Sequence, residues 1–117
     1  MAEMDPPRFV YKIVPVAPPE PIPDAYPLSD LDKKDGFIHM STATQVPNTA
    51  DLFFNAHTSL WLIRFELAKF VDPIKWEDSF PHLYGNFGKR DVESVQKFER
   101  PEGKTWKQVM EGSSWLS

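Results

Sequence analysis

Cysteine is absent from the chain, so no disulfide framework, thiolate zinc site or cysteine nucleophile is available. Any chemistry falls to His, Asp, Glu, Ser, Thr, Tyr, Lys or Arg. No apolar run approaches the length of a membrane span. Residues Met1–Pro7 are acidic and proline-rich rather than basic and then apolar, which is not a signal-peptide pattern. An excess of positive charge is also missing: 13 Lys and Arg stand against 17 Asp and Glu, a formal charge of −4. A broad electrostatic footprint for duplex nucleic acid is thereby excluded, though a local basic pocket is not. These absences read as a cytoplasmic protein with no membrane partner, small enough to enter the nucleus by diffusion. They carry no signal for oligomeric state.

What is present is an ordinary globular composition: 117 residues, 41% hydrophobic and 26% charged, with room for one domain. Eight of the twelve prolines lie within residues 1–27, and they punctuate that region. Residues 1–8 read as a flexible leader. Phe9–Val14 is β-branched and aromatic and stops at Pro15, the pattern of a strand. Residues 15–34 read as a long loop with one helical turn near Leu28–Asp32. Asp30, Asp32 and Asp35 superficially suggest a calcium loop, but the EF-hand spacing and terminal Glu are not there.

Downstream, Val46, Ala50, Phe53 and Phe54 recur at helical spacing, with Pro47 suited to a first turn. Ser59–Glu66 is an apolar run that predicts a strand buried on both faces, with Trp61 in the core. Ile74–Glu77 predicts a short strand, 78–88 a polar and aromatic loop, and Val92–Phe98 a half-exposed strand. Residues 99–117 form a C-terminal extension in which Thr105–Glu111 reads as a short amphipathic helix. A single domain over residues 9–98, of mixed element order, makes the class α+β.

Two segments concentrate reactive groups. In Asp35-Gly36-Phe37-Ile38-His39-Met40-Ser41-Thr42, a strand end delivers a histidine to a Ser/Thr cluster with the chemistry of a helix N-cap. Helix starts receive anions, so Ser41 and Thr42 are candidate ligand donors, or plain caps. In Trp76-Glu77-Asp78-Ser79-Phe80-Pro81-His82-Leu83-Tyr84-Gly85, acids, imidazole and phenol lie close together. Histidine titrates near neutrality, which suits His39 and His82 to proton transfer or phosphate binding. Glu77 or Asp78 can polarise a hydroxyl, or simply form a solvated turn. Trp76 and Tyr84 can wall a pocket. No compact histidine pair marks a metal centre, so no metal ligands are assigned; a His/carboxylate metal-dependent hydrolase ranks last.

Asp35–Pro47, then Ala50 and Phe53-Phe54, then Trp76-Glu77-Asp78 and Phe80–Gly85, resemble domain-of-unknown-function family 952 over residues 9–98. The motif order is also similar to the ADP-ribosyltransferase-like superfamily, particularly RNA 2′-phosphotransferases. In those, an aromatic-basic strand precedes a strand ending in His-x-Ser before a helix. Tyr11-Lys12 and His39-Met40-Ser41 match those two positions. The resemblance implies a split mixed β-sheet with one or two helices. It also implies a cleft for NAD, ADP-ribose or another nucleotide-like ligand, with Lys12 among the binding residues. The first strand of that superfamily commonly offers His or Arg where this chain has Lys12, and no late catalytic Glu is placed. The function implied is binding of a small anionic ligand, with transfer of an ADP-ribosyl or phosphoryl-type group or with no turnover at all.

Overall fold

The computed structural model describes residues 7–116. Six strands are present: β1 (Phe9–Val14), β2 (Ile38–His39), β3 (Ser59–Glu66), β4 (Ile74–Glu77), β5 (Phe80–Leu83) and β6 (Val92–Glu99). Helices α1 (Asp30–Asp35), α2 (Val46–Phe53) and α3 (Trp106–Met110) lie between and after them. The strands make two three-stranded sheets, ordered β1-β3-β6 and β2-β5-β4. Every pairing between these strands is antiparallel, which corrects the expectation of a mixed sheet. Three helices replace the one or two expected.

Among the described residues one isolated backbone bridge links the two sheets, whose side chains share a core. Tyr11 and Ser41 exchange backbone hydrogen bonds, each of 2.8 Å, just beyond the end of β2. Pro81 explains why β2 is so short. Met40 N–H donates to the Pro81 carbonyl at 3.1 Å, but proline has no N–H to return the bond. The ladder ends there, and the next residue pairs with β1 instead.

Strand β3 is buried on both faces, as its apolar run requires. Leu60 and Leu62 pack with Tyr11, Val46, Ala50, Phe98, Trp106 and Met110. Ile63 and Phe65 join Val10, Ile38, Met40, Leu83 and Phe87 on the other side. Trp61 is only half-buried, with Lys97 Nζ 5.3 Å from its ring centre, so it is not the core residue expected. Trp106 and Met110 are fully buried, which makes the C-terminal helix part of the second core. Of the expected leader, residues 1–6 lie outside the described residues, whereas Arg8 is held by Leu67 N–H donating to its carbonyl at 2.9 Å.

The largest departure from expectation lies in residues 78–88. Phe80–Leu83 is a strand, joined to β4 by the two-residue turn Asp78-Ser79. Both turn residues have positive φ, 51° and 70°, the twist that a tight antiparallel hairpin demands. Aspartate tolerates that conformation, but neither residue is the glycine that would have announced it.

Candidate functional site

The β2-β5-β4 sheet sorts its side chains by alternation. One row, Ile38, Leu83 and Ile74, belongs to the first core. The adjacent row, on the opposite face, is His39, His82 and Lys75 in direct register. The two histidine segments, separated by some forty residues in sequence, therefore meet as a cross-strand pair. Their ring centres are 5.3 Å apart. Phe37 stacks on His82 at 4.2 Å and also touches His39 and Tyr84, at 4.7 and 5.2 Å.

His39 is held from both sides. Ser29 caps α1 by accepting from Asp32 N–H, and Gly36 closes it in the left-handed region, φ 80°, turning the chain back over the helix. That return brings His39 Nδ1 to 2.6 Å from Asp32 Oδ1, while His39 Nε2 lies 3.0 Å from Asp35 Oδ2. The Asp32 contact is a hydrogen bond, whereas the Asp35 contact is an ion-pair approach without hydrogen-bond alignment. The other Asp32 oxygen accepts from Lys12 Nζ at 2.6 Å. Burial works to raise the Asp32 pKa, but the Lys12 charge and the bonds from His39 and Lys12 outweigh it and hold the carboxyl below its usual range. Lys12 thus faces Asp32 from the buried side of β1.

His82 is held from one side only. Its Nδ1 is 2.8 Å from Glu77 Oε1, and Tyr84 Oη donates to the same oxygen at 2.8 Å. The bonds from His82 and Tyr84 lower the Glu77 pKa, and the Glu77 carboxylate raises that of Tyr84. Lys75 Nζ lies 4.5 Å from the Tyr84 ring centre. With Nδ1 donating to Glu77, Nε2 is the nitrogen left to accept or deliver a proton.

Other expected site residues are placed differently. Ser41 is buried in the Tyr11 bridge. Thr42 does not cap α2 through its side chain. The residue before the helix, Gln45, already has helical backbone angles, and the entering turn closes on the Thr42 carbonyl instead. Thr42 N–H, the donor an anion would use, is bonded to Gln45 Oε1 at 2.9 Å. Gln45 Nε2 in turn donates to the Ser79 carbonyl at 2.6 Å, tying the hairpin to α2. Strand alternation turns Trp76 to the face opposite Lys75 and Glu77, where it is 45% exposed, so it does not wall the histidine row. Asp78 occupies the hairpin turn.

Phe37, Gln45 and Lys75 carry no signature in the sequence, which offers Asp32 and Asp35 only as calcium ligands. One signal pointed to Asp32. Alternation puts Lys12 on the inward face of β1 between Val10 and Val14, and a buried lysine requires a carboxylate. Among the described residues, no three His, Asp or Glu side chains converge as a metal site. No helix of the described residues is long and apolar enough to cross a membrane.

Fold and site define a small α+β protein of two antiparallel sheets that carries a histidine–carboxylate row on the sheet face opposite the first core, partly covered by Phe37. The chain belongs to the family described as protein of unknown function (DUF952), whose model matches residues 22–95. The crystal structure of protein CC0527 from Caulobacter crescentus is similar, with 25% identity and a TM-score of 0.67. That match covers 83% of this chain and 91% of that one. The solution NMR structure of CC0527 matches with 23% identity and a TM-score of 0.70, over 92% and 98% of the two chains. No curated protein matches the chain.

Proposed function

We propose that the Lys75–His82–His39 row binds a small anionic molecule and that His82 exchanges a proton with it. The observation that carries this reading is the register of the row: three basic side chains side by side on one sheet face, both histidines oriented by carboxylates. Glu77 fixes the His82 tautomer so that Nε2 meets the ligand, the role a carboxylate plays toward a catalytic imidazole. Tyr84 holds Glu77 in place, and Lys75 supplies positive charge that also acts on Glu77. Glu77 thus polarises a hydroxyl through His82 rather than directly.

An ADP-ribosyltransferase-like reading draws support from the Tyr11–Ser41 pairing, which sets the aromatic-basic strand beside His39-Met40-Ser41. The residues present do not fit a whole dinucleotide, however. Lys12 is spent on Asp32, and Thr42 N–H is spent on Gln45 Oε1. A phosphate ester or carboxylate fragment laid on the row suits the surface better, and no step is derived through NAD. A binding module without turnover uses the same contacts.

Titration of the isotope-labelled protein with ADP-ribose, nucleotides, sugar phosphates and inorganic phosphate tests the reading. A ligand should move the His82 side-chain resonances and, at a hundred times its dissociation constant, stabilise the fold by about 2.7 kcal/mol. His82→Ala should abolish any conversion detected by mass spectrometry. Binding without conversion supports the module; silence of His82 toward the whole panel overturns both.

A further inference from the structure

The two carboxylates on His39 are not equivalent. Asp32 is buried and held by Lys12. Asp35 is about a third exposed, and His39 Nε2 is its one close partner among the described residues. Asp35 is also the last residue of α1, where a negative charge faces the carbonyl end of the helix dipole. Lys33 and Lys34 suit that end; Asp35 does not. Nothing in the helix itself favours a carboxylate there, and what compensates it is the imidazole.

We propose that Asp35 occupies the position of the ligand's own anionic group. A carboxylate or phosphate oxygen replaces Asp35 Oδ2 at His39 Nε2, and Asp35 swings into water. Asp32 retains Nδ1 throughout, so the ring keeps its orientation while the anion beside Nε2 is exchanged. The proton inventory does not change, because one anionic oxygen is exchanged for another. Binding at this subsite is therefore a competition between an internal and an external anion. It selects ligands whose charged group is compact enough to enter beside Phe37 and His82. The inference rests on the preceding reading that the row takes an anion.

The test uses the full chain, with inorganic phosphate and acetate as probes and the histidine side-chain nitrogens as readout. Asp35→Ala should bind the preferred probe about three-fold more tightly than wild type, the scale of one exposed ion pair. The His39 Nε2 signal should move on binding. Asp35→Glu, which keeps a competing carboxylate, should stay close to wild type. A larger response to acetate assigns a carboxylate ligand, and a larger response to phosphate a phosphate ester. Unchanged or weaker binding by Asp35→Ala, with the wild-type response at His82 intact, overturns the competition and leaves the proposed function standing. Absence of any response at His82, in wild type and variants alike, overturns both. Asp35→Asn provides a second neutral variant, and its unfolding midpoint checks that the fold is kept.

Discussion

Lys12 Nζ stands 2.6 Å from Asp32 Oδ2, with the two side chains only 7% and 2% exposed. A pair this deep is held by geometry rather than by solvent, and removing one partner strands the other charge in the core. Lys12→Met should therefore destabilise the protein by about 3 kcal/mol, the low end for a broken buried pair because His39 still faces Asp32. Urea unfolding at pH 7 measures it. A loss below about 1 kcal/mol would show that the pair is solvated.

The same carboxyl sets a pH dependence. The folded pKa of Asp32 is lowered, so the unfolded chain takes up its proton first as the pH falls. Its stabilising contribution is present above about pH 4, the ordinary carboxyl value, and is lost as the pH drops through the lower folded value. Unfolding free energies at pH 7, 5 and 3 should fall more steeply for wild type than for Asp32→Asn at the acid end. Parallel curves would mean that Asp32 titrates alike in both states.

Much of the fold was legible because periodicity and composition agreed. Phe9–Val14, Ser59–Glu66 and Ile74–Glu77 are strands over the ranges their apolar patterns predict. The hairpin was not, since Asp78-Ser79 carries no glycine and Pro81 argues against a central strand. That single omission hid the register that makes His39 and His82 neighbours. The clustering of polar groups around each histidine made His39 and His82 legible, whereas the roles of Asp32 and Asp35 were hidden because their partners are fixed by the turn at Gly36. No local pattern encodes that return.

Glu77 is lowered by the bonds it accepts from His82 first and Tyr84 second. Tyr84→Phe removes the second donor, so the Glu77 carboxyl should titrate at higher pH than in wild type, followed by carboxyl carbon shifts. Glu77→Gln should instead change His82, raising the share of the Nε2–H tautomer in long-range nitrogen–proton spectra. An unaltered tautomer ratio would show that Glu77 does not orient the ring.

The C-terminal helix tests where the domain ends. Trp106 has no exposed surface, and its indole N–H donates to the Phe54 carbonyl at 2.9 Å. Asp51 accepts from the backbone N–H groups of Trp106 and Lys107, at 2.7 and 3.2 Å, coupling α3 to α2. Trp106→Ala should cost about 3–5 kcal/mol, as for other buried aromatic truncations. Ending the chain at Arg100 should cost at least as much, because it uncovers Tyr11 and Leu60 together. Should the truncated chain unfold at the wild-type urea midpoint, residues 101–117 would be an appendage rather than part of the core.

The hairpin turn offers a change in the opposite direction. Ser79 holds φ 70°, a left-handed conformation that costs a residue with a Cβ about 1–2 kcal/mol and glycine nothing. Ser79→Gly should raise stability by about 1 kcal/mol after the added flexibility of the unfolded chain is counted. The contact that matters for the site, Gln45 to the Ser79 carbonyl, is made by backbone and survives the substitution. The histidine row should keep its geometry, visible as unchanged side-chain resonances of His39 and His82. A stability loss would mean that the Ser79 side chain does more in the turn than its backbone angle requires.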